Sequence, residues 1–348
     1  MTKKMAVFGA GAVGSYIAAF LSRSGSDITL IDMWGDNVDH IRSNGMDVTG
    51  CQGDFNVPIN VIHLSDAMQL TESFDIIFLS VKSYDTEWAA HFCKRLLKYD
   101  GVVVDNQNCM NDQLVASIVG YEREIACVMS SITVALWEPG HVDRGGKTGI
   151  ATEHDVFRVG ELHGRISKRS EEIASILSCI DNSRTTSNIW GERWSKLTTN
   201  ASSNPISAMT GLGASSVAEI KGARSIQIHI AKESCQVGLA MNYQIEPIKK
   251  IEAHTWATAD KGDIYENLDQ VFMPTNHEEW KSSMSQDVTK GRKTEILFMN
   301  GYIADIGSKI GIPTPANEAI TKIVDEIDRG LRLPNINNID VVLNMLNI

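Results

Sequence analysis

Hydrophobic residues in the first part of the chain recur in short runs, separated by segments of helical periodicity. Such runs are typical of strands buried on both faces, and helices between them are typical of a parallel sheet. A helix is predicted over Ser15–Ser22, closed by Gly25. The predicted strands are Lys4–Phe8, Asp27–Ile31, Asp75–Val81 and Gly101–Asp105, with weaker candidates at Ile125–Ser131 and Thr148–Thr152. The pattern therefore predicts an α/β domain with a doubly wound parallel sheet.

The pattern changes near residues 186–190, after which it is mostly helical. Predicted helices there include Ser225–Leu239, Thr294–Ile310 and Glu318–Leu331. A length of 348 residues also favours two domains. We therefore predict a sheet domain over residues 1–188 and an all-helical domain over residues 189–348. Between them, Trp137–Gly164 is interpreted as a long surface hairpin to which the sequence assigns no role.

Composition narrows the possible partners. The net charge is −11, which argues against nucleic acid and anionic lipid, because both need a basic surface. No apolar run reaches the roughly 18 residues of a membrane span, and the apolar start of the chain continues into a helix rather than ending as a signal peptide. The six cysteines are scattered without a C-x-x-C pair, so neither a disulfide framework nor a metal site is predicted, and a cytoplasmic location is expected.

A glycine motif follows the first predicted strand. Residues 9–14 read GAGAVG, a G-x-G-x-x-G between a strand and a helix. In this context Gly9 permits a tight turn, Gly11 lets the backbone approach a pyrophosphate, and Gly14 lets the helix pack closely on the strand. The helix N-terminus, from Ala12 and Val13, offers free N–H groups to phosphates. The motif predicts a Rossmann-type dinucleotide-binding domain.

Asp32 ends the second strand, about 20 residues after the motif, where such domains place an acid. A carboxylate there accepts both ribose hydroxyls of NAD and repels the 2′-phosphate of NADP. The sequence therefore favours NAD, with NADP kept open. The alternative interpretation is that Asp32 only caps a loop.

Polar side chains that could take part in binding or catalysis recur later in the chain. Gln107 and Asn108 follow the fourth strand, where α/β sheets bind ligands. Lys196, Asn200 and Asn204 are spaced by four residues, which places them on one stripe of a helix. A lone helical lysine is more often a solvated surface residue, but this one adjoins apolar neighbours. Pro205 is expected to kink or end that helix.

A second cluster lies near the C-terminal end. Ser283 with Gln286 fits a capping box, and Glu295 could be an exposed helix carboxylate. On one continuous helix Ser283 and Glu295 would lie about 18 Å apart, too far to share a small ligand. A shared site therefore requires a break, for which Gly291 is the predicted stop and Thr294 the predicted restart cap.

Several of these segments together resemble the ketopantoate reductase (2-dehydropantoate 2-reductase) family. The matching segments are GAGAVG at 9–14, VKSYDT at 81–86, QN at 107–108, W-x-K-L at 194–197, and SSM-x-QD, GR-x-TEI, NG and GI-x-x-P-x-N within 282–317. The resemblance implies an oxidoreductase that reduces a 2-oxo acid with a nicotinamide cofactor.

The resemblance also implies roles for individual residues. Lys196 would protonate the carbonyl oxygen, Glu295 would hydrogen-bond near that lysine and the substrate, and Asn108 would hold the substrate or the nicotinamide ribose. The implied substrate contacts are Asn200, Asn204 and Ser283. Lys82 would lie near the cofactor. Proton donation by a positioned side chain suits the alkoxide that hydride delivery leaves.

The chain departs from the family pattern at three places. Cys109 stands where the family has glycine after Q-N, so a different loop shape is expected. Asp32 stands where a cation suited to NADP is expected, and Trp137–Arg169 is longer than usual. Ketopantoate reduction is therefore the leading hypothesis. An NAD-dependent dehydrogenase of another hydroxy acid or alcohol is the alternative, and an opine-type dehydrogenase or a non-catalytic NAD sensor is less favoured. A homodimer is expected from apolar helix faces.

Overall fold

The computed structural model describes residues 3–71, 73–260, 262–273 and 279–348. The chain divides into two compact units, Met1–Ile189 and Trp190–Ile348. The sequence analysis placed its boundary one residue earlier. The first unit is α/β and the second is helical, so the predicted fold class is confirmed.

The first unit holds strands and helices in alternation. The strands are β1 (Lys4–Phe8), β2 (Asp27–Asp32), β3 (Met46–Gly50), β4 (Phe55–Val57), β5 (Asn60–His63), β6 (Phe74–Leu79), β7 (Leu97–Asp105), β8 (Glu124–Met129), β9 (Thr133–Glu138), β10 (His141–Gly145), β11 (Phe157–Gly160) and β12 (Ser183–Thr185). The helices are α1 (Ala12–Arg23), α2 (Gly35–Asn44), α3 (Leu64–Ala67), α4 (Thr86–Leu96), α5 (Asp112–Val119), α6 (Gly149–Thr152) and α7 (Lys168–Leu177). Within the described residues, eight of these strands form one sheet, in the order β12-β11-β8-β7-β6-β1-β2-β5.

Both faces of this sheet are buried, which explains the continuous apolar runs. Along β1, Met5 and Val7 join one hydrophobic cluster, whereas Ala6 and Phe8 join the cluster on the opposite face. Successive side chains of a strand point to opposite faces, so a strand covered on both sides must be apolar throughout. The carboxyl ends of β7, β6, β1 and β2 therefore form one edge on a rigid core.

The sheet is parallel except at one pairing. β11 runs antiparallel to β8, with Phe157 opposite Met129. The chain between them forms a hairpin and a short helix instead of a long helical crossover, and an antiparallel neighbour needs no crossover. The sequence analysis did not anticipate this reversal.

One prediction for residues 137–164 is wrong, and another holds only for the first part of the segment. The Thr148–Thr152 strand is instead the short helix α6, because the Thr148 hydroxyl accepts the Ala151 N–H at 3.1 Å and caps a helical turn. The predicted hairpin is present but shorter, and it belongs to a second sheet whose order within the described residues is β4-β3-β10-β9. β9 and β10 form the hairpin, and β10 also pairs in parallel with β3.

A buried ion pair anchors this second sheet. Arg144 on β10 is 1% exposed and donates to Asp181 at 2.5 Å and to Gln52 at 2.7 Å. It also donates to the hydroxyl of Tyr16, which lies on α1, at 3.2 Å. Burial raises the pKa of Tyr16 to about 12, so the phenol remains neutral. The Trp137–Arg169 segment is therefore joined to the helix that follows the glycine motif.

The second unit is a group of helices. They are α8 (Ile189–Thr210), α9 (Ala214–Glu219), α10 (Lys221–Ala240), α11 (Ala253–Ala257), α12 (Asp263–Val271), α13 (Ser283–Thr289), α14 (Asn300–Ile310), α15 (Pro315–Asp328) and α16 (Asn338–Leu346). The predicted helix at Thr294–Ile310 begins at Asn300 instead, after a 3-10 turn at Ile296–Phe298. Among the described residues, no helix combines the length and apolarity that crossing a bilayer requires.

Candidate active site

The glycine motif forms the turn between β1 and α1. Ser15 donates the first intrahelical hydrogen bond, to the carbonyl of Gly11 at 2.9 Å. The N-cap residue of α1 is Gly11, which has no side chain to cap the helix. The N–H groups of Ala12, Val13 and Gly14 precede that first bond, so the helix start presents donors suited to an anion.

The three glycines differ in what surrounds them. A Cβ on Gly14 would lie 1.9 Å from the carbonyl oxygen of Gly9, so close helix–strand packing requires glycine there. Gly9 has a φ of +103° and its Cβ would lie 3.0 Å from the Ser80 backbone. Apart from neighbouring residues in the chain, no atom of the described residues lies within 4 Å of the Cβ position of Gly11. Glycine at that position leaves the backbone open to approach, which fits a dinucleotide pyrophosphate.

Asp32 lies at the end of β2, beside this turn. Its carboxylate accepts the N–H of Ala10 within the turn, and that of Trp34 at 2.7 Å. Asp32 therefore does cap the loop, as the alternative interpretation proposed. A carboxylate has about four lone-pair positions, so two backbone bonds leave capacity for ribose hydroxyls. Loop capping and ribose binding are compatible at this residue.

Lys82 and Asn108 follow the next two strands along the same edge. Lys82 comes three residues after β6 ends, and Asn108 three residues after β7 ends; both are half-buried. Gln107 joins the two loops, because its amide donates to the Val81 carbonyl at 2.8 Å and to the Thr86 hydroxyl at 2.9 Å. The structure thus brings the predicted residues of the first unit to one edge of the sheet.

Cys109 has a φ of +70°, the left-handed region that favours glycine. The expectation of a different loop shape stays a prediction, since this φ describes the present chain alone. The cysteine thus occupies a backbone conformation that glycine adopts more readily, and its side chain is buried. Asn111 supports the loop by donating to the Asn108 carbonyl at 2.9 Å.

In the second unit, Lys196, Asn200 and Asn204 lie in successive turns of α8. Asn200 is buried, whereas Lys196 and Asn204 are half-buried, so the lysine is not a fully solvated surface residue. Trp194 anchors this part of the helix, since its indole N–H donates to the Ser234 carbonyl at 2.9 Å. A Cβ on Gly238 would overlap that indole, which shows how closely α10 approaches α8.

Pro205 does not end the helix, contrary to one of the two expected outcomes. α8 continues to Thr210 with the proline inside it. Proline has no N–H, so the Ala201 carbonyl loses its usual helical donor. The side-chain amide of Asn300 donates to that carbonyl instead, at 3.1 Å.

Ser283 is the first residue of α13, and it is not the cap that the sequence predicted. The cap is Ser282, whose hydroxyl oxygen accepts the Ser285 N–H at 3.2 Å. The same hydroxyl donates to the Asn204 carbonyl at 3.1 Å. This bond joins the start of α13 to α8, so Ser283 and Asn204 belong to adjoining backbone segments.

Glu295 lies outside any long helix and is 5% exposed, so the expectation of an exposed helix carboxylate is wrong. α13 ends at Thr289, and Gly291 has a φ of +64°, so the chain breaks where a shared site requires it. Thr294 accepts the Ile296 N–H on its hydroxyl at 3.3 Å, although α14 starts only at Asn300.

Asp328 holds Thr294 in place. Its carboxylate accepts the Thr294 hydroxyl at 2.7 Å and the Thr294 N–H at 3.1 Å. Burial raises the pKa of Asp328, and the two Thr294 hydrogen bonds oppose that shift. Asp328 was not among the predicted site residues, because an aspartate near a helix end, 34 residues from its partner, gives no local signal.

A group of three buried acids was also missed. Asp105, Asp112 and Glu124 bring carboxylate oxygens within 4.8 Å of one another. They come from β7, α5 and β8, so their proximity depends on strand order rather than on sequence spacing. They are carboxylates alone, without the histidine or cysteine that zinc sites use.

Known proteins share both units of this chain. Residues 5–154 match the family model described as ketopantoate reductase PanE/ApbA, and residues 188–328 match its C-terminal counterpart. The 2-dehydropantoate 2-reductase of Archaeoglobus fulgidus is 27% identical over 94% of this chain and 99% of its own.

Two solved structures share the fold. A PanE/ApbA family ketopantoate reductase from Ralstonia eutropha has a TM-score of 0.76 at 25% identity, covering 94% of this chain and 99% of its own. D-mandelate dehydrogenase bound to NADH and anilino(oxo)acetate has a TM-score of 0.80 at 22% identity, covering 95% of this chain and 100% of its own. The two matched models together span most of both units, and the chain therefore belongs to the ketopantoate reductase family of nicotinamide-dependent oxidoreductases.

Proposed function

We propose that this chain reduces 2-dehydropantoate (ketopantoate) to pantoate. The observation that carries the proposal is α8, where Lys196, Asn200 and Asn204 occupy successive turns of a helix that continues past Pro205. One cationic donor and two amides on one stripe suit a small acid that has a carbonyl to protonate and oxygens to hold. The 2-dehydropantoate 2-reductases, which resemble this chain over nearly its whole length, support the choice of acid.

The first unit is proposed to hold the cofactor. The start of α1 would bind the pyrophosphate, Asp32 the ribose hydroxyls, and Lys82 and Asn108 would contact the cofactor from the loops after β6 and β7. When bound, the nicotinamide supplies a hydride, which is chemistry that no side chain provides.

The second unit is proposed to supply the proton. Hydride arrival at the carbonyl carbon leaves an alkoxide, and Lys196 would donate its proton to that oxygen. Glu295 would accept a hydrogen bond from Lys196 or from the substrate hydroxyl. Asn200, Asn204 and Ser283 would hold the hydroxyl and carboxylate of the acid and so fix its orientation.

The test follows nicotinamide absorbance with ketopantoate and a panel of other 2-oxo acids. We expect ketopantoate to be reduced fastest, and Lys196→Ala to lower kcat by about 10²- to 10⁴-fold with cofactor binding retained. Lys221→Ala is the matched control, since Lys221 is an exposed lysine at the start of α10. Turnover of a different acid while ketopantoate is not reduced would refute the substrate assignment. An active Lys196→Ala enzyme would refute the assignment of Lys196 as the proton donor.

We further propose that NAD is preferred to NADP, because the Asp32 carboxylate lies beside the glycine turn. The isosteric Asp32→Asn keeps one acceptor oxygen and removes the negative charge. Losing a charged hydrogen bond costs about 1.5–3 kcal/mol, so the NADH-to-NADPH ratio of kcat/KM should fall about 10- to 100-fold. Asp36→Asn, an exposed aspartate in the first turn of α2, is the control. An unchanged ratio in Asp32→Asn would contradict the assignment.

A further inference from the structure

A buried chain of polar groups leads away from the Ala201 carbonyl, which lacks its helical donor because of Pro205. The amide of Asn300 donates to the Ala201 carbonyl at 3.1 Å and to the Asn317 side-chain oxygen at 3.1 Å. The Asn317 amide in turn donates to the Glu233 carboxylate at 2.8 Å. Asn300 and Asn317 are fully buried, and Glu233 is nearly so. The chain therefore joins α8, α14, α15 and α10.

Glu233 holds the far end of this chain in place. Its carboxylate accepts the N–H of Ala316 at 2.8 Å and that of Asn317 at 3.0 Å, both at the start of α15. Three donors on one buried carboxylate fix the position of the Asn317 side chain. Asn317 then fixes Asn300. The Asn300 amide nitrogen donates to two oxygens, those of Ala201 and Asn317, so the side chain has little rotational freedom.

Burial of the Asn300 side-chain amide costs free energy. Its oxygen is buried and has no hydrogen-bond partner in the part of the chain that the structure describes. An apolar side chain would avoid that cost if the Ala201 carbonyl had another donor. Pro205 removes the only donor that an uninterrupted helix would supply, so the amide nitrogen is needed.

The location of this bond connects it to catalysis. Asn200 lies one turn after Lys196, and Ala201 directly follows it. Asn204 lies within the turn that the missing hydrogen bond would have closed, directly before Pro205. A proline inside a helix favours a bend there, because it removes one backbone hydrogen bond, and a donor on the freed carbonyl constrains that bend. Ser282 holds the other side through the Asn204 carbonyl. The relative orientation of Lys196 and Asn204 therefore depends on how the Ala201 carbonyl is held.

We propose that Asn300 is a positioning residue for the reductase site: by replacing the helical donor that Pro205 lacks, it holds Lys196 and Asn200 in register with Asn204. The inference rests on the proposed function of those three residues. It assigns Asn300 no contact with the substrate or the cofactor. Asn300 also begins α14, five residues after Glu295, so it ties the segment of Glu295 to the helix of Lys196.

The test compares the wild type with Asn300→Leu, Pro205→Ala and the double variant. Leucine has a similar volume and no donor, whereas alanine at 205 restores the backbone N–H that can reach the Ala201 carbonyl. We expect Asn300→Leu to lower kcat by about 10- to 100-fold, the scale of a small misplacement of catalytic groups, with the cofactor KM within about twofold. Adding Pro205→Ala should recover most of that loss. If Asn300→Leu alone does not fold, the double variant is compared with the wild type and with Pro205→Ala.

Asn338→Leu is the matched control. Asn338 is also a buried asparagine, and it donates to the Met209 carbonyl at 2.8 Å, near the far end of the same helix. We expect it to lower the urea midpoint about as much as Asn300→Leu while kcat stays within about twofold of the wild type. Equal kcat losses in both variants would show a merely structural role and overturn the inference. So would a wild-type kcat in folded Asn300→Leu, or a loss that Pro205→Ala does not repair.

Failure of the proposed function would look different. If the wild type reduces no 2-oxo acid, the proposed function fails, and the urea midpoints decide whether Asn300 replaces the missing helical donor. Pro205→Ala should then restore the midpoint lost in Asn300→Leu, but not that lost in Asn338→Leu. Absence of that specific recovery would refute the inference without any activity measurement.

Discussion

Replacing Arg144 with methionine tests whether the second sheet depends on its buried ion pair. The Arg144 side chain is 1% exposed, and its guanidinium donates to Asp181, Gln52 and Tyr16. Because the site is closed to solvent, we expect no water to take over these hydrogen bonds in the variant. Arg144→Met leaves the Asp181 carboxylate buried, and its remaining donors among the described residues are the N–H groups of Gly149, Ile150 and Asn182. Breaking one partner of a buried pair costs about 3–5 kcal/mol.

The loss should be visible as a fall in melting temperature. For a unit of this size, 1 kcal/mol corresponds to about 2–4 °C, so Arg144→Met should melt about 6–20 °C lower at pH 7. Scanning calorimetry measures the shift, and hydrogen exchange over β10 and α1 localises it. Arg184→Met is the control, because Arg184 and Asp155 pair at 2.8 Å on the surface, where such pairs contribute about 0–1 kcal/mol.

The pH dependence supplies an independent check. Burial opposes the ionisation of Asp181, yet hydrogen bonds from Gly149 and Asn182 and the Arg144 guanidinium outweigh it and hold its pKa below the ordinary value. A lowered carboxylate pKa contributes stability above the unfolded pKa of about 3.9, and this is lost as pH falls through the folded pKa. The difference between the wild type and Arg144→Met should therefore shrink below about pH 4. A melting shift no larger than that of Arg184→Met would refute the reasoning.

Three further predictions concern the site and its supports. Burial raises the pKa of Glu233 to about 7, against its hydrogen bonds from α15; its contribution to stability is full below about pH 4.3 and is lost as pH rises to 7, so Glu233→Gln should flatten the melting temperature between pH 5 and 8. Cys109→Val should be about 1–2 kcal/mol less stable than Cys109→Gly in urea unfolding, because a β-branched residue fits a φ of +70° poorly; equal stability would contradict this. Asp328→Ala removes the acceptor that holds Thr294 beside Glu295, and should lower kcat about tenfold while Asp328→Asn retains more activity; matching losses in the two variants would argue against a hydrogen-bonding role.

Local sequence patterns predicted the structure correctly where a residue's surroundings are determined by its own strand, turn or helix. The apolar runs of β1 and β6 predicted buried parallel strands, because both faces of the sheet are covered. The glycine spacing predicted the turn, and the structure shows why Gly14 tolerates no side chain. The requirement for a break between Ser283 and Glu295 came from helix geometry alone, and the chain does break near Gly291.

Non-local contacts limited the remaining predictions. Pro205 was expected to disrupt α8, but the donor that relieves the disruption comes from Asn300, 99 residues from Ala201. The Thr148–Thr152 run contains isoleucine and two threonines, as strands do, yet a threonine cap decides for a helix. Asp328 is recognised only once its partner Thr294 is known. Such contacts have no signature at fixed spacing, so a single sequence does not reveal them.

The parallel pairing of β3 with β10 has a consequence for the order in which the protein can be completed during synthesis. Asp47 pairs with His141, 94 residues later. At translation rates of about 5–20 residues per second, β3 and β4 would wait about 5–20 s as a hairpin with one open edge. Asp181, the partner of Arg144, emerges 37 residues after that arginine. The nascent chain therefore carries an exposed strand edge and an uncompensated arginine until most of the first unit has been made, and that interval is when chaperone binding would matter most.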